Sequence, residues 1–179
     1  MIGLNEIKTS LSISLPGYVA YKSTTTGSGH RGGTAVLVRR VLHTSVVYMD
    51  TGTEDQVWMR MACIPGVLLG FVYVPPSDST YFSPAQTSAI QERMKMASMD
   101  NRCFIIGDMN ARFGGSVSDL SSRISIPDAH LYIYPFIPDS VNAPNDNAIA
   151  ISAICAESKL LVINNLKTAD QHFESKLTY

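Results

Sequence analysis

Asp108 and Asn110 stand two residues apart, just after a short apolar run, Cys103-Phe104-Ile105-Ile106, that stops at Gly107. The run has the look of a strand covered on both faces. Gly107 and the pair Gly114-Gly115 mark turns on either side of it. Open α/β sheets bind ligands just beyond the carboxyl ends of such strands. An acid and an amide released there could address one ligand together; the bland alternative is an Asx turn with solvated side chains. Two further polar groups stand at strand ends. Glu6 follows Ile2-Gly3-Leu4, and Tyr73 lies one residue before the end of the apolar stretch Val67 to Val74, which Pro75-Pro76 closes. Glu6 and Asp108 are hard oxygen donors of the kind Mg²⁺ accepts alongside waters and substrate phosphate. Phosphodiester hydrolysis needs charge neutralised and a water aimed in line, which one metal, one acid and a few hydrogen-bond donors can supply. Against this stand a solvated Glu6 near the terminus and a core Tyr73 ring with its hydroxyl satisfied.

The elements that must hold these groups can be read along the chain. Tyr18 to Tyr21 and Thr34 to Arg39 are strands, joined by a loop from Ser23 to Gly33 rich in Gly, Ser and Thr but without the spacing of a P-loop or a dinucleotide fingerprint. Leu11 to Leu15 reads as a strand or a helical turn, and Thr44 to Met49 as a strand. Gln56 to Cys63 alternates, with Val57, Met59, Met61 and Cys63 on one side and Trp58 and Arg60 on the other. Pro84 to Met99 is a helix, with Ser83 as cap and Pro84 at the first helical position. Its apolar stripe takes in Ala89, Ile90, Met94 and Ala97, and Met94, Met96 and Met99 read as flexible core filler. Residues 114–142 form a long irregular stretch. Asn145 to Lys159 is a second helix capped by Asn145 or Asp146, Leu160 to Ile163 a strand, and Lys176 to Tyr179 the opening of another. About eight strands and two helices, strand-rich first and alternating later, predict an α/β sandwich: two mixed, mostly antiparallel sheets flanked by helices.

Composition bounds the function. The chain has 179 residues, 45% of them hydrophobic and 16% charged, which describes a globular protein with a real core. A net charge of −1 gives no global basic field, so nucleic-acid binding would rest on local arginines. The three cysteines, Cys63, Cys103 and Cys155, lie far apart in apolar stretches and read as buried reduced thiols. Together with the lack of a signal peptide and of any bilayer-spanning run, this predicts a nuclear or cytoplasmic protein, not secreted and with no membrane partner.

LNEIKT (Leu4 to Thr9), GYVAYKS, HRGGTAVLVRR (His30 to Arg40), GFVYVPP (Gly70 to Pro76), FIIGDMNARFG (Phe104 to Gly114) and NDNAIAISAICAESKLLVINN follow one another in chain order and are spread over nearly the whole chain. This succession resembles the endonuclease/exonuclease/phosphatase superfamily, the DNase I-like fold, and most closely the endonuclease domain of non-LTR (LINE-type) retrotransposons. The resemblance implies a Mg²⁺- or Mn²⁺-dependent endonuclease that nicks DNA. Glu6 would bind the metal, and Tyr73 would contact the scissile phosphate. Asp108 would orient or deprotonate the attacking water or protonate the leaving oxygen, and Asn110 would hold the phosphate or Asp108. Thr178 would touch DNA, and Arg31, Arg39 and Arg112 are candidates for phosphate-backbone contacts, against the alternative of solvated surface charge. A fused reverse transcriptase is the partner implied for the parent protein. Family members carry an asparagine upstream of the glutamate and a terminal Ser-Asp-His; none of His30, His43, His130 and His172 has that context. The expectation is therefore a single incomplete domain over 1–179, lacking its first and last strands and inactive alone. The same blocks are compatible with a phosphatase or phosphodiesterase, or with a non-catalytic interaction module.

Overall fold

A computed structural model describes residues 1–8, 12–23, 32–49, 55–97, 102–112 and 143–158. The chain divides into two compact units, Met1–Asn110 and Ala111–Tyr179.

The first unit is built on two sheets. β1 (Ile2–Lys8) and β2 (Tyr18–Lys22) flank β3 (Gly32–Arg39), both antiparallel to it. The second sheet runs β4 (Val46–Met49), β5 (Gln56–Met61), β6 (Val67–Tyr73) and β7 (Arg102–Asp108), antiparallel except for the parallel pair β6–β7. The crossover between β6 and β7 is α2 (Pro84–Ala97), as a parallel connection requires. A four-residue turn, α1 (Arg40–His43), links β3 to β4; the sequence pattern had not suggested it. The architecture is the α/β sandwich expected, with mixed, mostly antiparallel sheets.

The sheets meet through Val36 and Val38 of β3, Val57 and Met59 of β5 and Phe71 of β6, all buried. Gly3 lets β1 lie against the Phe71 ring, which a Cβ there would meet at 2.8 Å. Alternation along β5 is broken, since Val57, Trp58 and Met59 are each fully buried. Two faces are thus covered where the pattern had suggested one. The Trp58 indole N–H donates to Gln56 Oε1 at 2.9 Å, so the ring is buried without a lost hydrogen bond.

Several expectations change. β5 ends at Met61, and Cys63 lies in the following turn, exposed where a buried thiol was expected. Cys103 and Cys155 are half-buried. On α2, Ile90 and Met94 enter the core as expected, whereas Met96 points outward and is 68% exposed. The helix starts as read: Ser83 Oγ accepts from Ala85 N–H, and Gln86 Oε1 accepts from Ser83 N–H in return. β7 is not covered on both faces. Cys103 turns to α2, its Sγ 3.4 Å from Met94 Sδ, while Phe104 and Ile106 on the alternate face remain half exposed. Residues 12–15 form neither strand nor helix, and β1 runs on past Leu4 to Lys8.

In the second unit, α3 (Asp146–Ser158) is capped by Asn145, whose Oδ1 accepts from Ala148 N–H and from Arg112 N–H, both at 3.0 Å. The stretch 114–142 and the strands expected at Leu160 to Ile163 and Lys176 to Tyr179 lie outside the described residues.

Candidate active site

A bulge within β1 and the ends of β6 and β7 meet at one edge of the sandwich. β1 is antiparallel to β3, but its register slips between Leu4, opposite Ala35, and Ile7, opposite Gly33. Asn5 and Glu6 therefore oppose the single residue Thr34, the two-against-one count of a β-bulge. The bulge puts Glu6 at φ 55°. A non-glycine residue held there costs roughly 1–3 kcal/mol, which the surrounding strands must offset. The result is that the Glu6 carboxylate accepts a 2.6 Å hydrogen bond from the hydroxyl of Tyr73, the last residue of β6.

Tyr73 pairs in register with Asp108 across the parallel strands β6 and β7. Asp108 closes its strand as an Asx turn, with Oδ1 accepting from Asn110 N–H at 2.9 Å. The Asn110 amide in turn donates through Nδ2 to Val74 O at 3.0 Å. Asn110 stands at φ 45°. Among the described residues, Glu6 and Asn110 are the two non-glycine positions with positive φ. Backbone strain of this kind gathers at functional sites. It coincides here with two residues singled out on chemistry alone.

Gly107 brings the two strand ends together. It stands at φ 151°, opposite Val72, and a Cβ there would fall 1.8 Å from the Val72 carbonyl oxygen. Just beyond, Val74 N–H donates to Asp108 O at 2.9 Å. Close approach of the chains is thus what sets Asp108 beside Tyr73.

The electrostatics follow from the geometry. Burial, then the hydrogen bond to Glu6, then the charges of Glu6, Asp108 and Asp55 hold the Tyr73 phenol well above its ordinary range. It is a hydrogen-bond donor at neutral pH. Glu6 and Asp108 are both exposed. Among the described residues no three His, Cys, Asp or Glu side chains converge as a closed metal cage. The donor set is instead an open one of exposed carboxylates, which suits Mg²⁺ or Mn²⁺, since such ions keep several waters and take one or two carboxylates plus substrate oxygen.

Glu6, Tyr73, Asp108 and Asn110 are therefore brought together. Arg39 is not. It lies at the other end of β3, roughly 17 Å along the strand from Thr34, facing the Tyr18 hydroxyl. Arg112 belongs to the second unit, with an exposed side chain and a main chain bonded to Asn145. Arg31 and Thr178 lie outside the described residues.

Sequence reasoning missed a polar layer beneath the site. Asp55, 5% exposed, accepts from Gln86 Nε2 through Oδ2 at 2.6 Å. Its main-chain oxygen accepts from Tyr73 N–H at 2.9 Å and from Thr34 Oγ1 at 3.0 Å. The Ser83-x-x-Gln86 capping box was a usable signal for Gln86. Asp55 and Thr34 carried none, because each looks like an ordinary residue at the start of a strand.

No curated protein matches the chain. The model of the Endonuclease/Exonuclease/phosphatase family matches residues 1–148, which span Glu6, Tyr73, Asp108 and Asn110. With most of its length matched and the sandwich present, the chain belongs to the endonuclease/exonuclease/phosphatase family, whose members are usually hydrolases of phosphoesters.

Proposed function

We propose that the domain this chain belongs to is a divalent-metal-dependent DNA endonuclease of the LINE type, which nicks duplex DNA. The observation that carries the reading is the convergence of Glu6, Tyr73 and Asp108 from the β1 bulge and the ends of β6 and β7, with Tyr73 2.6 Å from Glu6 and backbone strain at Glu6 and Asn110.

Glu6 would hold Mg²⁺ or Mn²⁺ with the help of waters and a substrate oxygen. When bound, that ion supplies charge neutralisation at the phosphate. Tyr73, kept protonated, turns its hydroxyl from Glu6 to a non-bridging phosphate oxygen as charge develops there. Asp108 accepts the proton of a water that attacks phosphorus, or returns one to the leaving oxygen. The new P–O bond forms as the bond to the leaving oxygen breaks. Asn110 fixes the Asp108 carboxylate through its own N–H and is itself fixed by Val74 O. Along the DNA, Arg31, Arg112 and Thr178 are the proposed backbone contacts. Arg39 would touch only a duplex running along the sheet. A fused reverse transcriptase belongs to the same reading.

The test is nicking of supercoiled plasmid by the protein expressed with any coding sequence that flanks it in its gene. Nicked circles should form with Mg²⁺ and not with EDTA. Asp108→Ala should lower the rate by about 10²–10⁴-fold, as loss of an acid–base group does, and Tyr73→Phe by about 10²-fold. A soluble phosphomonoester should not be cleaved. Cleavage of the monoester without nicking would make the protein a phosphatase, and neither activity would make it a non-catalytic module.

A further inference from the structure

Thr34 lies on β3 just ahead of the apolar run Ala35 to Val38, and it is fully buried. A valine would fill the same space. A buried hydroxyl is costly unless hydrogen-bonded, so its partners matter. Thr34 Oγ1 lies 3.0 Å from Asp55 O and 3.4 Å from Asn5 Oδ1, with its one proton favouring the nearer carbonyl. Thr34 is also the residue opposite the bulge formed by Asn5 and Glu6. Its own main chain is held from the other side by Ser23, whose Oγ accepts Thr34 N–H at 3.1 Å and whose N–H donates to Thr34 O at 2.9 Å. Asp55 O accepts a second hydrogen bond, from Tyr73 N–H at 2.9 Å.

These contacts close a ring. It passes from Glu6 across the β1–β3 pairing at the bulge to Thr34, through the Thr34 hydroxyl to Asp55 O, to the main chain of Tyr73, and back through the Tyr73 hydroxyl to Glu6. Glu6 belongs to one sheet and Tyr73 to the other, so the gap between them depends on how the sheets are spaced at this edge. Apolar contacts set that spacing only loosely, because they are not directional. Thr34 supplies the directional link. We propose that Thr34 is a positioning residue whose hydroxyl locks the Glu6 bulge of one sheet to the Tyr73 strand end of the other, and so sets the Glu6–Tyr73 distance. Its importance for catalysis rests on the phosphodiesterase reading; the lock itself does not.

The test uses the full chain labelled with ¹³Cζ-tyrosine. The Tyr73 resonance is assigned by its loss in Tyr73→Phe, and Glu6→Ala gives its position without the acceptor. Thr34→Val removes the hydroxyl at nearly constant shape and should move the resonance at least halfway to the Glu6→Ala position. Thr34→Ser keeps the hydroxyl and should leave the resonance where it is. A native resonance in Thr34→Val, or an equal displacement in Thr34→Ser, overturns the proposal. Should Thr34→Val fail to fold by the fluorescence of Trp58, Thr34→Ala removes the same hydroxyl with less bulk; a displaced Tyr73 resonance then supports the lock and an undisplaced one overturns it. Mn²⁺ titration followed by electron paramagnetic resonance reads the metal site separately. Thr34→Val should bind on the order of tenfold more weakly, as losses of ligand-orienting partners do. Failure of the unaltered chain to bind Mn²⁺ removes the metal reading while leaving the tyrosine result standing.

Discussion

Gly107→Ala adds one methyl group at the point where β7 comes closest to β6. Real Cβ atoms stay at least 3.0 Å from such neighbours, and this one would start at 1.8 Å from Val72 O, so the strands must part by about 1.2 Å. The φ of 151° adds a second cost, since L side chains rarely adopt it. Overpacking costs about 1–3 kcal/mol and the forced backbone a further ~1–3 kcal/mol. Taking about 4 kcal/mol in all, and ~2–4 °C per kcal/mol for a chain of this size, the melting temperature should fall by about 8–16 °C. Gly17→Ala is the matched control: Gly17 also has positive φ, at 80°, but its added Cβ meets nothing within 4 Å. It should lose only ~1–2 kcal/mol, or about 2–8 °C. Both melts can be followed by the fluorescence of Trp58, the sole tryptophan, which is fully buried on β5. Because the displaced strand carries Asp108, Gly107→Ala should also lose nicking activity well below its melting temperature, measured in the protein expressed with any flanking coding sequence, whereas Gly17→Ala should keep it. Equal melting temperatures for the two variants would refute the close approach and with it the account of how Asp108 is placed.

Other expected outcomes are independent of that one. Asn110→Gly and Asn110→Ala both lose the bond to Val74 O, but only alanine resists the φ of 45°; the alanine variant should melt about 4 °C lower, and equal melts would count against the strain. Gln86→Ala removes the acceptor of Ser83 N–H and the donor to the buried Asp55 carboxylate, and should cost about 2–4 kcal/mol in denaturant unfolding. Gln86→Glu keeps the cap but sets two carboxylates face to face; protonation relieves that repulsion, so its deficit should shrink as the pH falls from about 7 to about 4. With a disulfide reagent near neutral pH, the exposed Cys63 should react first. The Cys103 thiol is pushed up to about 11 by burial and Cys155 upward for the same reason. The reactive thiolate of Cys103 is therefore scarce at neutral pH, and its rate should climb about tenfold per pH unit. A fast Cys103 in the folded chain would mean that β7 is not packed on α2.

Local pattern makes much of this protein legible in its sequence. Strand ends at Tyr73 and near Asp108, the Ser83–Pro84 helix start and the Asn145 cap are set by turn and capping chemistry within a few residues, so sequence carries them. The candidate acids and amides were legible for the same reason: they stand beside apolar runs that read as strands. What sequence could not determine depends on cross-strand partners. The bulge that turns Glu6 toward Tyr73 exists because Asn5 and Glu6 oppose one residue of β3, a register set by pairing rather than by residue type. Trp58, assigned to the polar side of an alternating strand, is buried because a second layer covers that face. Gly107 reads as a turn glycine, yet its necessity comes from the carbonyl of Val72, distant in sequence. Thr34 and Asp55 matter through partners distant in sequence, each other across the two sheets and, for Asp55, Tyr73 and Gln86. Residue types and their order determined which groups are available for chemistry. Tertiary packing decided which of them meet, because distances between strand ends are set by register, bulges and close backbone approach.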